Sequence, residues 1–444
     1  MLIRFTVENF LSFNEETEFN MLTGDIRRLP NHVFGFKKID LLKSAVIYGA
    51  NGAGKSNLIQ AITILREIVV NETTDFVSED SFFRLDNNEN KPTTFEVEFL
   101  NEGGAYAYGL SFHNNVIQEE WLFKLNFGSK PDEPIFERKL KKGGVESLKF
   151  GPKYSKTPKD KLLAQVYEEL LEPDRPFLTL VKEKRFKEIQ DTKHWLDKRV
   201  LIIFPRMQYS GLVNNFLDDE SFRNFTNEII TTFETGIKEL DVLTIDFDLY
   251  FGEDNSSEKD RVLKRIRTGE IESVGDNRNA LAMIEDGKAV VKKPVAYHTD
   301  SNGKKVKFEL FEESDGTLRL IDFIPVLYLI NHFPVTVIID EIDQSIHPAL
   351  LKEFIAKVQN SPNRIGQLIF TTHESNLLDL DLFRQDEIWF AEKNAACATH
   401  FYVLSDYDVR TDLDIRKGYL SGRFGAIPFL GNFKDLKWEK YVEK

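Results

Sequence analysis

The chain has 444 residues, of which 41% are hydrophobic and 29% charged, and its formal net charge is −14. That balance allows a sizeable core, and the acidic total excludes a surface that grips nucleic acid everywhere, because phosphate binding is driven by Lys and Arg. The lone cysteine, Cys397, excludes an intrachain disulfide and fits a reducing compartment. The opening MLIRFTVENF has no apolar leader core. No run approaches the roughly 20 apolar residues of a membrane span, so a cytoplasmic protein without membrane partners is expected.

In chain order, residues 2–9 alternate apolar and polar as a strand does, and 13–21 is a second extended segment. SAVIY, residues 44–48, is a short buried-strand run. A glycine-rich turn follows at 49–56, and 57–70 has helical periodicity through Leu58, Ile62, Leu65 and Ile68. Residues 93–150 read as strands separated by Asn, Gly and Pro turns. Residues 157–240 read as mainly helical, broken at Pro173, Pro176 and Pro205. Residues 279–311 read as strands with turns at Asp286-Gly287 and Ser301-Asn302-Gly303. From 314 onward helices alternate with the buried strands VTVII, QLIFTT and EIWFA, the pattern of a parallel sheet covered by helices. Charge is segregated between them: 129–187 holds fifteen Lys/Arg against ten Asp/Glu, and 218–260 holds thirteen Asp/Glu against three Lys/Arg. These are either solvated faces or two contact surfaces of opposite preference.

Gly49-Ala50-Asn51-Gly52-Ala53-Gly54-Lys55-Ser56 matches GxxxxGK[ST] in full, after a strand and at the start of a helix that continues with Asn57. Glycines let backbone N–H groups curl around a phosphate, with Lys55 reaching the β- and γ-phosphates and Ser56 ligating Mg²⁺. Thr336–Ile339 is an apolar strand ending in Asp340-Glu341. On an extended strand end the two carboxylates point to opposite sides, so Asp340 suits Mg²⁺ and Glu341 suits the attacking water. Thr371-Thr372-His373 ends another apolar strand, where an imidazole can bond a γ-phosphate. Ser314-Asp315-Gly316-Thr317 lies 26 residues before Asp340, at the start of a helical pattern, and makes a second anion site.

This order of phosphate loop, Ser-x-Gly, apolar-Asp-Glu and His resembles the ABC-type ATPase superfamily, in the branch of RecF, the SMC proteins and OLD-like and abortive-infection ATPases. The likeness covers 1–125 and 305–405. Phe5 to Phe13 is similar to that branch's opening strand, and Asp343-Gln344-Ser345-Ile346-His347-Pro348 is similar to its D-loop. Residues 418–428 resemble tails of bacterial stand-alone ATPases of phage-defence operons.

The resemblance implies an α/β fold: an ABC-type head whose mixed sheet is flanked by helices, with an α+β insertion between phosphate loop and signature. The expected parts are 1–125 and 305–405 for the head, 126–304 for an inserted, largely helical lobe, and 406–444 for a tail. The resemblance further implies ATP and Mg²⁺ as ligands and an ATP-bridged homodimer in which Ser314 and Gly316 contact the neighbour's γ-phosphate. It also implies a separately encoded effector in anti-phage defence. A RecF-like DNA-repair ATPase using 129–187, or a nucleotide-bound scaffold without turnover, are the alternatives, with DNA the less favoured partner. The signature departs from LSGGQ, and Gln118, on a strand, is the only Q-loop candidate between 61 and 164. Asp406-Tyr407-Asp408 is similar to a Toprim acid pair but lacks the fold around it. Glu374 reads as a helix cap, His347 as part of the D-loop and Cys397 as a turn residue.

Overall fold

The computed structural model describes residues 1–427 except 103, 129, 142–144, 206, 208–210, 253–255, 276–279, 408 and 411–412. Two compact units form: residues 1–202, 334–342 and 359 onward in the first, and 203–333 with 343–358 in the second.

Among the described residues the first unit holds a two-stranded sheet, Val33–Phe36 with Ile39–Leu42, and two larger sheets. One is antiparallel, in the order Val145–Phe150, Glu133–Lys141, Val116–Lys124, Gly104–His113, Thr93–Asn101, Leu2–Glu8 and Thr17–Asn20. Alternation places Phe5, Val7, Phe95, Val97 and Phe99 in the core. The other sheet runs Val200–Ile203, Thr336–Ile339, Gln367–Thr371, Ser44–Gly49, Ile388–Lys393 and Thr399–Val403. Its three central pairings are parallel and the last is antiparallel, so the sheet is mixed, as the resemblance implies, whereas the alternation of helices and strands alone reads as parallel. The helix Lys55–Asn71 buries Leu58, Ile59, Ile62, Leu65, Ile68 and Val69. It touches Leu2–Glu8 of one sheet and Ser44–Gly49 of the other.

The buried Gln367 amide ties the two sheets at one end. Its Oε1 accepts the Leu2 N–H at 2.5 Å and the Thr336 hydroxyl at 3.1 Å, and its Nε2 donates to the carbonyls of Leu2 and Leu42, each at 3.0 Å. All of its capacity is used, which is what a buried amide requires.

Glu133–Lys141 and Val145–Phe150 extend the sheet of residues 93–124, so one sheet runs through the expected boundary at 125/126. Periodicity marks these segments as strands but does not say which sheet they join. Within 157–240 the helices are short, from four residues at Phe177–Leu180 to thirteen at Glu220–Thr232, and the strand Val200–Ile203 interrupts them.

In the second unit, Glu239–Asp246, Lys288–Thr299, Ala280–Glu285 and Glu272–Val274 form a sheet, with Lys305–Glu309 also pairing with Lys288–Thr299. Residues 126–304 therefore mix strands with helices. The expected turn at Asp286-Gly287 has both residues at positive φ, 51° and 76°, as a two-residue hairpin requires. The helix Asp315–His332 buries Ile321, Ile324 and Tyr328 among Leu212, Phe216, Phe222 and Ile230. Its Tyr328 hydroxyl donates at 2.7 Å to Asp219, whose other oxygen caps Glu220–Thr232 by accepting from the Phe222 N–H.

Candidate functional site

Ser44–Gly49, Gln367–Thr371 and Thr336–Ile339 are parallel neighbours, so their C-terminal ends share one edge of the sheet. That edge is where open α/β sheets hold ligands. Gly49–Ser56 leaves the first strand there, Thr372-His373 the second, and Asp340-Glu341 the third.

The phosphate loop is shaped by close packing. Gly49 lies so near the Ala391 carbonyl that a Cβ would stand 2.6 Å from its oxygen. Gly52 and Gly54 have φ of 76° and 106°, values that glycine alone adopts without cost. Ala50 accepts the Ala53 N–H at 3.1 Å, closing a turn across Asn51 and Gly52. Behind the loop, the Thr399 hydroxyl lies 2.8 Å from both the Ala53 carbonyl and the Ser12 hydroxyl, and Asn57 Nδ2 donates to Ser12 Oγ at 2.7 Å. Ser12 comes from the opening motif, and its neighbour Asn9 clasps 83–92 through Phe83 N–H and the carbonyls of Asn88 and Lys91. Thr399 is a support that no local signal marks, and Ser12, although it stands in the opening motif, meets the loop through tertiary packing.

Lys55 is 6% exposed. Its ammonium donates to the carbonyls of Gly49 at 2.9 Å and Ala50 at 3.3 Å, and stands 3.2 Å from His373 Nε2. An ammonium has only protons to give, so Nε2 accepts and the imidazole proton sits on Nδ1. Ser56 opens the helix beside Lys55.

The acidic pair differs from the extended strand end expected of it. Glu341 has φ 48°, a left-handed backbone uncommon outside glycine. The bonds responsible come from Thr371: its buried hydroxyl donates to Asp340 Oδ1 at 2.6 Å and accepts the Glu341 N–H at 2.7 Å. Asp340 is buried and Glu341 half-buried, so the two carboxylates do occupy different surroundings. Thr371→Val keeps the volume but removes that bridge, leaving two groups short of a partner at about 1–3 kcal/mol. ATP turnover, read by phosphate release, is expected to fall at least about tenfold, 1.4 kcal/mol being tenfold.

The donors fit Mg²⁺. Among the described residues no cluster of three or more His, Cys, Asp or Glu could hold a metal, whereas Mg²⁺ is usually held by one or two protein oxygens with substrate phosphates and waters. The Ser56 hydroxyl and the Asp340 carboxylate are oxygens of the kind that would suit it.

Ser314 and Gly316 belong to the second unit. Ser314 caps the helix Asp315–His332, its hydroxyl accepting the Thr317 N–H at 3.2 Å. A Cβ on Gly316 would stand 2.8 Å from the Ser345 carbonyl oxygen, which places signature and D-loop side by side in that unit. His347 Nδ1 accepts the Ala349 N–H at 3.3 Å.

Gln118 donates to the Val116 carbonyl on its own strand. Glu374 caps a short helical turn through the Asn376 N–H, and Asp406 accepts the Val403 N–H, while Asp408 lies outside the described residues. Cys397 is exposed in a turn. In the described part of the tail Tyr419 and Phe424 stack on Phe390, and the Tyr402 hydroxyl donates to the Phe424 carbonyl at 2.7 Å; Pro428 lies outside the described residues.

Among solved structures, the SMC head domain from Thermotoga maritima is similar at 12% identity and a TM-score of 0.40, over 90% of this chain and 98% of that one. An SMC head bound to the C-winged helix domain of ScpA gives 12% and 0.42, over 90% and 97%. The Pyrococcus furiosus SMC head with an extended coiled coil, bound to the C-terminal domain of ScpA, gives 13% and 0.37, over 95% and 98%. No curated protein matches the chain. The family model described as "AAA domain, putative AbiEii toxin, Type IV TA system" matches residues 44–379. With most of its length matched, and a complete phosphate loop set beside an acidic strand end and a histidine, the chain is a P-loop ATPase of the AAA type and belongs to that family.

Proposed function

We propose that this chain is a Mg²⁺-dependent ATP hydrolase that works as a two-chain switch, each copy completing the other's nucleotide site and the pair controlling an effector protein in bacterial anti-phage defence. The observation that carries it is the pair of hydrogen-bonded groups at the sheet edge: Lys55 on His373, and Thr371 on both Asp340 and Glu341. Lys55 stands ready to exchange loop carbonyls for phosphate oxygens, a stronger charge-assisted bond. Ser56 and Asp340 would hold Mg²⁺, which supplies charge neutralisation at the phosphates when bound. Glu341, fixed at its backbone and half-buried, orients the attacking water. His373, relieved of Lys55, reports the γ-phosphate. Ser314 and Gly316 sit at the start of an 18-residue helix, an anion-favouring position, and serve the neighbouring copy.

Mixing tests the sharing. Lys55→Ala and Ser314→Arg chains are each expected to be inactive, and activity should reappear on mixing, because one site of the mixed pair keeps an intact Lys55 and an intact Ser314. Two inactive proteins that stay inactive together would refute it. His373→Ala is expected to lower turnover about 10²-fold, at the modest end of a positioned polar group, with ATP affinity little changed in a fluorescence titration.

The family description supports a toxin or defence setting. The effector surface is assigned to 218–260. Within it Asp219 and Asp246 cap helices, and Glu239, Asp248 and Glu258 pair with Lys305, Lys259 and Arg261; of the acids that are exposed there, Glu228, Glu234 and Asp260 are taken as the contacts. Changing these three to Gln, Gln and Asn should weaken capture of the effector encoded beside this gene; unchanged capture would remove the assignment. The RecF-like reading draws on fewer residues than the fifteen counted in 129–187, because Arg138 is buried and Lys139, Lys153, Arg175 and Arg185 carry acidic partners.

A further inference from the structure

The helix Pro158–Glu169 is anchored by one face only. Tyr167 is buried among Phe150, Phe177 and Phe186 and donates to Glu183. Glu168 accepts the Leu148 N–H at 3.2 Å. Asp160 closes a capping box with Thr157 and pairs with Arg185 at 3.2 Å. The other face carries Leu162, Val166 and Leu170, spaced i, i+4, i+8 and exposed by 62%, 44% and 56%. At 3.6 residues per turn these three form one stripe. Three aliphatic side chains left open in a row, on a helix otherwise held firmly, mark a contact surface rather than scattered surface residues.

The charges beside the stripe say what covers it. Lys159 precedes Leu162 by three positions and Glu169 follows Val166 by three, so both continue the stripe, and both are exposed. A helix prefers acids in its first turn and bases in its last; here the exposed Lys159 and Lys161 stand at the start and Glu169 at the end. That order does nothing for the isolated helix. It is, however, self-complementary. Two such helices laid antiparallel about their midpoint set Leu162 of one opposite Val166 of the other and Lys159 opposite Glu169, twice by symmetry. This is the pattern of an isologous two-fold interface, in which one patch meets itself.

We infer that the Leu162–Val166–Leu170 face of this helix pairs antiparallel with the same face of a second copy of the chain, without nucleotide. The interface goes beyond the ATP-bridged pair proposed above and uses none of its residues, so a chain can engage one neighbour through each. Helices of twelve residues are about 18 Å long, and a pair of them buries less than the roughly 1,200–2,000 Å² of a stable complex. The pairing is therefore weak and concentration-dependent by itself.

The test is sedimentation velocity of the full chain without nucleotide, over about 1–100 µM, the range suited to an interface below the standard size. Wild type should rise with concentration from 51.4 kDa toward twice that mass. Lys159→Glu alone and Glu169→Lys alone should each weaken association about tenfold or more, because each sets like charges opposite one another. The doubly exchanged Lys159→Glu/Glu169→Lys chain should recover it. A wild type that stays at the monomer mass throughout would overturn the inference and leave the stripe to a different protein. A double exchange no better than either single one would overturn it as well.

Discussion

Glu341→Gln is expected to slow ATP turnover by about 10²–10⁴-fold, the usual contribution of a positioned base, with nucleotide affinity retained. The substitution removes charge and basicity while keeping size. What holds the residue is its backbone, through the N–H bonded to Thr371 at 2.7 Å and the left-handed turn at φ 48°, and Gln leaves both in place. Asp340 and Ser56, the proposed Mg²⁺ oxygens, are untouched, so binding and turnover should separate. Phosphate release under saturating ATP and a titration with fluorescent nucleotide measure the two. Equal loss of both would move Glu341 from water activation to nucleotide binding.

Gly54→Ala is expected to abolish nucleotide binding, for a reason distinct from its motif. The residue sits at φ 106°, and an added Cβ would stand 2.1 Å from Thr399 Oγ1 and 2.9 Å from Ser12 Oγ. Those hydroxyls hold the Ala53 carbonyl and Asn57, so the methyl would displace the support of the whole loop in addition to the roughly 1–3 kcal/mol of backbone strain. Gly52→Ala is the control. Its φ is 76°, but nothing lies within 4 Å of its Cβ position, so it should carry the strain alone, about 1–2 kcal/mol. Gly54→Ala should weaken ATP binding more than about 100-fold, and Gly52→Ala only about ten-fold or so, on the scale of 1.4 kcal/mol per tenfold. Equal effects would show that conformation, and not the Thr399 contact, sets the requirement.

How much of this could be read beforehand follows from where each signal lives. The phosphate loop, Asp340-Glu341 and His373 are legible because each couples a short local pattern to the end of an apolar strand, and parallel strands bring those ends to one edge. The contact between Ser12 and Thr399 is not, since a hydroxyl 387 positions from its partner leaves no trace in spacing. The left-handed turn at Glu341 is hidden for the same reason: Thr371, thirty positions on, imposes it. In the sheets, alternation identified Glu133–Lys141 as a strand but could not tell that it continues the N-terminal sheet, because pairing partners are chosen by tertiary packing. Ser314 shows the opposite limit. Its helix-capping role is visible in both sequence and structure, while the phosphate it is proposed to meet belongs to another copy.

Sharing of the nucleotide between two chains is the centre of the account, and solution mass by light scattering of Glu341→Gln, with and without ATP and Mg²⁺, addresses it most directly. At a concentration too low for association without nucleotide, ATP should raise the mass from 51.4 kDa toward that of a dimer, and adding Ser314→Arg to the same chain should abolish the rise. A protein that binds ATP and keeps its monomer mass would contradict the account and leave Ser314 as a helix cap alone.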